Sequence, residues 1–164
     1  MATTIKRSQV QTFLNITPST GLGNEDYALI GDGVKTGKID YKPKVTDETY
    51  ISDDSATITV DSYAPTMPVS QIAKQGDEVF DFIDSLRIAR AILGDAETDI
   101  VNVWLYETPD GTLYPAEQQK VSIQIDSFGG DGGAAVSIEY TINFIGDPIV
   151  GKFDTADSSF TAGA

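Results

Sequence analysis

The sequence contains no cysteine and no histidine in its 164 residues. Without cysteine there is no disulfide framework, no thiolate zinc site and no thiol nucleophile. Without histidine the usual general base and the commonest transition-metal ligand are missing too. Nothing approaches the ~20 apolar residues of a membrane-spanning helix, and "MATTIKRSQVQTF" holds no run that would serve as a signal peptide. These absences read as a soluble chain made in the cytoplasm, with no membrane partner. Basic residues are scarce, 11 against 25 acidic, for a net charge of −14. The imbalance sits in the second half, where residues 77 to 164 carry 4 basic and 16 acidic side chains. Such a surface repels nucleic acid and anionic lipid, although it would also serve solubility alone.

The 40% apolar content is that of a folded protein, and the length fits one domain spanning residues 1–164. Residues 1–9 read as a polar arm. "VQTFLNI" (10–16) and "YALIG" (27–31) read as strands, separated by the loop "TPSTGLGNED". "PTMPVSQIA" (65–73) is extended, since two prolines exclude a helix there. The spacing predicts one helix over 77–93, with Asp77 as N-cap, Glu78 and Asp81 at the positive end of the dipole, and Gly94 closing it. Its apolar side is Val79, Phe82, Ile83, Leu86, Ala89 and Leu93, widened by Phe80, Ile88 and Ile92.

"DIVNVWLYET" (99–108) is apolar on nearly every residue and reads as a strand covered on both faces. Then comes the clearest period-2 signal. In 120–128 Val121, Ile123 and Ile125 alternate with Ser122, Gln124 and Asp126. In 134–145 Val136, Ile138, Tyr140, Ile142 and Phe144 alternate with Ser137, Glu139, Thr141 and Asn143. With the glycine-rich loop 129–133 between them, these form an antiparallel hairpin with one dry and one wet face. Residues 150–164 read as a second arm. The class is mainly β: an antiparallel sandwich or partly closed barrel, one flanking helix and a long hairpin.

No motif carries chemistry. Asp53-Asp54 reads as a solvated turn, because neighbouring carboxylates on a bend point apart. "DGVKTGK" lacks the spacing and the following helix of a phosphate loop. "TDETYISDDS" lacks the spaced ligands and central glycine of a calcium loop. Serine and tyrosine have no base placed to activate them. The expectation is a non-enzyme without cofactor or metal.

The stretch 39–65 is the oddest part of the chain. It reads as two strands of about twelve residues, each spanning roughly 40 Å, bent at Ser52-Asp53-Asp54-Ser55. Its few apolar residues cannot make a core, and an isolated two-stranded ribbon is marginal in water. Either it folds over its own domain or another molecule supplies the missing surface. Lys35, Lys38, Lys42 and Lys44 lie towards its base, while Asp47, Glu48, Asp53 and Asp54 lie towards its bend. Head-to-tail stacking of identical subunits would bring unlike ends together, giving rings or filaments.

The order "YALIGDGVKTGKIDYKPKVTDETYISDDSATITVDSYAPTMPVSQIAKQGDEVFDFIDSLR", then a strand, then a glycine-rich hairpin, resembles the major tail proteins of long-tailed phages infecting Gram-positive bacteria. The likeness covers most of the chain and is strongest over 27–106. It implies a virion tail-tube subunit, assembled in the bacterial host, whose six-membered rings join their sheets into a β-barrel around a DNA channel. It implies no catalysis. Its partners would be other copies of itself and other tail proteins (tape measure, terminator), with DNA passing through unbound. The hairpin 37–64 would contact the next ring through Lys42, Lys44, Asp47, Glu48, Asp53 and Asp54, assisted by the terminal arms. The wet faces of the last two strands, Ser122, Gln124, Asp126, Ser137, Glu139, Thr141 and Asn143, would line the channel. Carboxylates there suit a conduit, because DNA affinity comes chiefly from cations neutralising phosphates.

Two other readings stay open. An acidic chain could mimic DNA and block a nucleic-acid-binding protein. A pair of carboxylates could serve a small glycoside hydrolase, if a deep pocket brought them together.

Overall fold

The structure, a computed structural model, describes residues 1–18 and 26–163, so most of the loop 17–26 lies outside the described residues. Among the described residues ten strands and one α-helix follow in the order β1 (Val10–Asn15), β2 (Tyr27–Leu29), β3 (Val34–Gly37), β4 (Pro43–Glu48), β5 (Thr57–Tyr63), β6 (Thr66–Ile72), α1 (Glu78–Ala89), β7 (Glu97–Trp104), β8 (Leu113–Gly129), β9 (Ser137–Asp154) and β10 (Ser159–Ala162). The mainly β class, with one helix against an antiparallel sheet, is borne out.

One sheet runs β2-β1-β7-β8-β9-β6-β3, with β10 also on β9. Its first and last strands, β2 and β3, are separated in sequence by Ile30 to Gly33 alone. Four residues bridge at most about 18 Å, so the two ends of a seven-strand path must curl towards each other. The result is a half-barrel. Gly33, at φ 76°, makes the turn possible, and a Cβ there would meet the Ile72 carbonyl at 3.0 Å.

The long hairpin β8–β9 is the backbone of the sheet. Near Asn143, β9 pairs with β6; beyond Ile149 it pairs with β10. It changes neighbours at a bulge, Gly146-Asp147-Pro148, where Gly146 has φ 68° and its carbonyl accepts from Gln119 Nε2 at 2.7 Å. Two cores result. Leu14, Ile100, Met67, Val69, Val121, Ile123, Ile138, Tyr140 and Ile142 pack under Val79, Phe80 and Ile83 of α1. On the other face Phe13, Val101, Val103, Ala116 and Phe153 cluster. Strands β1 and β7 are therefore covered on both sides, as the near-continuous apolar run of β7 predicts.

Several expectations need correction. Residues 150–164 do not form a loose arm: β9 continues to Asp154, and β10 pairs back on it with Phe160 opposite Phe153. Strand β8 begins at Leu113, earlier than the alternation at 120 indicates, because "LYPAEQQ" mixes residue types while pairing with both β7 and β9. Val136 lies outside β9 and is exposed.

The helix is shorter than 77–93. Asp77 caps it, accepting from the Phe80 amide at 2.9 Å, but it stops at Ala89. Arg90 takes the left-handed conformation (φ 48°), with its amide on Arg87 O and the Ala91 amide on Leu86 O, both at 3.1 Å. That is a Schellman closure with arginine where glycine is usual, four residues before Gly94. Ile92 and Leu93, beyond the helix end, consequently miss the core and are 70% and 82% exposed, and Ile88, on the outer side of the last turn, is 68% exposed.

Candidate assembly surfaces

The stretch 40–64 is a ribbon that leaves the body as an outward continuation of the β3–β6 pair. Asp40 and Thr66 exchange two backbone hydrogen bonds, at 2.8 and 2.9 Å, and the Ala64 amide donates to Tyr41 O at 3.2 Å. Lys42, in the left-handed region at φ 42°, turns the ribbon at its root, where Tyr41 and Tyr63 meet edge to face at 6.3 Å. Strands β4 and β5 then pair from Pro43↔Tyr63 to Glu48↔Thr57. The paired arms have six and seven residues, about half the length the sequence suggests, and extend about 20 Å.

Every residue from 40 to 64 is exposed, so the ribbon does not fold back as a flap over its own sheet. Its two faces differ. Val45 pairs with Val60, and Asp47 with Ile58, giving one apolar stripe beside a single carboxylate. The other face carries Lys44, Thr46, Glu48, Thr57 and Thr59, with Asp61 bulged into it and accepting from Thr46 Oγ1. At the bend, Asp53 N–H donates to Tyr50 O at 2.9 Å and Tyr50 Oη donates to Glu48 at 2.8 Å. Tyr50 and Ile51 project there, 57% and 110% exposed, next to Asp53 and Asp54. Lys42 and Lys44 thus stand at the root, Asp47 and Glu48 midway, and Asp53 and Asp54 at the tip.

The second surface is the face of β8 and β9 turned away from α1. Register places Ser122, Gln124, Thr141 and Asn143 together there, with Ser137 and Glu139 further along β9. Asp126 joins them through a bulge: Ile125 faces Tyr140 and Ser127 faces Glu139, leaving Asp126 as the extra residue. Its carboxylate accepts from Gln124 Nε2 at 2.6 Å and Thr141 Oγ1 at 2.7 Å, while Asn143 donates to Gln124 Oε1 at 3.3 Å. Ser127 donates to Glu139 at 3.1 Å. All seven residues predicted for the wet face therefore share one surface. Reading the sequence missed Thr66, Pro68 and Ser70, which β6 adds beside Asn143, Thr141 and Glu139. The alternation of buried Met67, Val69 and Gln71 in "TMPVSQI" is the signal that could have found them.

The electrostatics of this face follow from its partners. Neutral donors hold Asp126 and Glu139, and among the described residues neither makes an ion pair. Lys120 on the same face is tied to Glu97 at 2.7 Å. The surface is left negative. Elsewhere, burial pushes the Glu117 carboxyl up from its ordinary value, in the cleft that Trp104, Tyr41 and Tyr63 form below the ribbon. Burial, then the charge of Asp77, pushes the Tyr140 hydroxyl up. That hydroxyl donates to Gln71 Oε1 at 3.2 Å, and Gln71 Nε2 donates to Asp77 at 2.7 Å, so this polar chain ties the sheet to the helix cap.

Comparison with solved structures shows what such a sheet is similar to. The chain matches a subunit of the tail of an empty GTA particle, refined with helical and C6 symmetry, at TM-score 0.62 and 13% identity, covering 97% of this chain and 100% of that one. The fold is tail-tube-like. It also matches the tube-terminating cap of the anti-feeding prophage (TM-score 0.54, 11% identity, 92% of each chain) and a sheath/tube terminator of the extracellular contractile injection system PVC in its extended state (0.50, 14%, 92% and 98%). No protein-family model and no curated protein sequence matches. At these identities the likeness is one of fold.

Proposed function

We propose that this protein is a structural, non-enzymatic subunit of a phage-like tail that polymerises into stacked rings around a DNA channel. The observation that carries the reading is the ribbon 40–64, exposed throughout and bearing an apolar stripe whose Val45, Ile58 and Val60 keep half or more of their surface open to solvent. A two-stranded element of this kind gains its missing partner when another copy lies against it. The fold of tail and tube-terminator subunits supports the same reading, and the C6 symmetry of the similar tail supports rings of six.

In this reading Lys42, Lys44, Asp47, Glu48, Asp53 and Asp54 meet the adjacent ring, and the N-terminal residues 1–6 add a contact. The arm's root is held, because Arg7 donates to the Gly37 carbonyl at 3.1 Å. The open edges of β2 and β3 meet neighbouring subunits within the ring, which removes an aggregation hazard. The face of Ser122, Gln124, Asp126, Ser137, Glu139, Thr141 and Asn143 lines the channel, where its carboxylates deny DNA phosphates a cation to bind. Tape-measure and terminator proteins are the further partners, and the working location is the virion tail, after assembly in the bacterial host's cytoplasm.

Negative-stain electron microscopy of concentrated purified protein tests this. Tubes or annuli are expected. Discrete monomers at every concentration, including in the presence of tail-tip complexes as initiators, would overturn it.

A further inference from the structure

The ribbon tip needs a counterpart, and one end of the body carries a surface of matching chemistry. Around the Schellman closure of α1, the chain exposes Ile88, Ile92 and Leu93 within six positions. Two of the residues here, Arg90 (φ 48°) and Leu93 (φ 52°), hold left-handed backbone without being glycine. That conformation costs an L-residue roughly 1–2 kcal/mol, and for a leucine 82% exposed to solvent no packing within the chain repays it. Such strain beside exposed apolar side chains marks a surface shaped for contact.

Charge distinguishes this shoulder from the rest of the acidic half. Of the four basic residues after position 76, Arg87 is paired with Asp84 at 2.7 Å, Lys120 with Glu97 and Lys152 with Asp110. Arg90 makes no ion pair among the described residues and is exposed. It lies inside the apolar run, with Asp95 beyond it. The ribbon tip offers the complement: Tyr50 and Ile51 exposed, with Asp53 and Asp54 alongside.

Position agrees with chemistry. The ribbon joins the body where Thr66 pairs with Asn143. The guanidinium of Arg87 sits 3.9 Å over the Phe128 ring, and Phe128 pairs with Ile138. Five residues of β9 separate those rows, about 17 Å. The last turn of α1 is thus set towards the end of the hairpin away from the ribbon, and the chain beyond it returns to the ribbon's row, where Glu97 pairs with Ser122. Head-to-tail stacking requires the placement of that turn: a projection on one side and its receptor towards the other.

We propose that the shoulder Ile88–Leu93 receives the ribbon tip of a second copy in the adjacent ring, with Ile51 on Ile92 and Leu93, and Asp53 or Asp54 facing Arg90. This rests on the ring-stacking reading above.

The absence of native cysteine makes the test direct. Full-length protein carrying Ile51→Cys and Leu93→Cys, assembled and oxidised with copper phenanthroline, should give a ladder of disulfide-linked chains on a non-reducing gel. A control pairing Ile51→Cys with Lys35→Cys should stay monomeric. Arg90→Glu should shorten tubes, and adding Asp53→Lys and Asp54→Lys should restore their length. If tubes form but the ladder arises from the Lys35 pair alone, or Arg90→Glu leaves tube length unchanged, the shoulder is not the receptor and the tube reading survives. If the unsubstituted protein forms no tubes, the tube reading itself fails.

Discussion

Phe160 stands so close over Gly151 that a Cβ at position 151 would lie 2.7 Å from its Cζ and closer still to the Thr161 carbonyl oxygen. Neither neighbour is the free end of a flexible chain: one is the ring of a side chain packed against Phe153, the other is backbone. Gly151→Ala should therefore push β10 off β9, at about 1–3 kcal/mol. The expected outcome is a lower Tm together with cleavage by proteases within 155–163, where the native hairpin resists. A variant with unchanged Tm and protection would show that β10 contributes nothing to the body.

The polar chain Tyr140–Gln71–Asp77 gives a second prediction. Tyr140→Phe keeps the ring in the core but leaves Gln71 Oε1 without the donor that reaches it at 3.2 Å. Leaving a buried acceptor unpaired costs about 1–3 kcal/mol. Chemical denaturation should show a lower midpoint with unchanged m-value. Because Gln71 also anchors the Asp77 cap, amide exchange should accelerate first in the opening turn of α1.

Glu117 provides a pH test. Burial raises its carboxyl in the folded state, so the native protein holds that proton more tightly than the unfolded chain does. Stability then falls as pH climbs from the ordinary glutamate range through the raised value, since in that window the folded state binds more protons. Glu117→Gln removes this loss. Its Tm at pH 7 should exceed the parent's by no more than about 4 °C, because the group is only part-buried. The gain should vanish below the unfolded pKa of the glutamate. An equal gain at all pH values would place the effect elsewhere.

How much of this was legible beforehand depends on what each segment packs against. The alternation in 120–128 and 134–145 gives the correct faces because one side meets α1 and the other does not. It fails at Phe128, which shares sequence parity with Gln124 and Asp126 yet lies under Arg87. The bulge at Asp126 flips the parity, and no local pattern announces it. Gly94 is the better stop signal by propensity, whereas the helix closes on Arg90, whose left-handed backbone lets the Ala91 amide reach Leu86 O. The C-terminal hairpin has no local signal, because "DTADSSFTAGA" is small and polar and the close approach of β10 depends on one bare position opposite it, Gly151 of β9. The ribbon shows in the sequence as a stretch that lacks a core, while no local residue marks that pairing stops at Glu48 and Thr57, about half-way along each expected arm.

On the face proposed to line the channel, Asp126→Lys with Glu139→Lys reverses charge where neutral hydrogen bonds alone hold the carboxylates. Both positions are exposed, so stability should change by less than about 1 kcal/mol. Added cations release counterions from DNA and create affinity that weakens with salt. The expected outcome is intact tubes with slowed DNA ejection, the delay shrinking as ionic strength rises. Normal ejection at low salt would remove these residues from the lining.

Arg90 separates stability from assembly. Its left-handed backbone would suit glycine, so Arg90→Gly should relieve strain while adding chain entropy to the unfolded state, for a net gain of up to about 1 kcal/mol. The monomer's Tm should rise by roughly 2–4 °C for a domain of this size. The same substitution deletes the Arg90 cation, which makes no ion pair among the described residues and stands beside Ile92 and Leu93, so tubes should become shorter or require more protein to form. A stabilising substitution that weakens polymerisation is the pattern expected where strain serves an interface. If Arg90→Gly stabilised the subunit and left assembly intact, the left-handed arginine would be a tolerated imperfection, and the shoulder would lose its claim as a receptor.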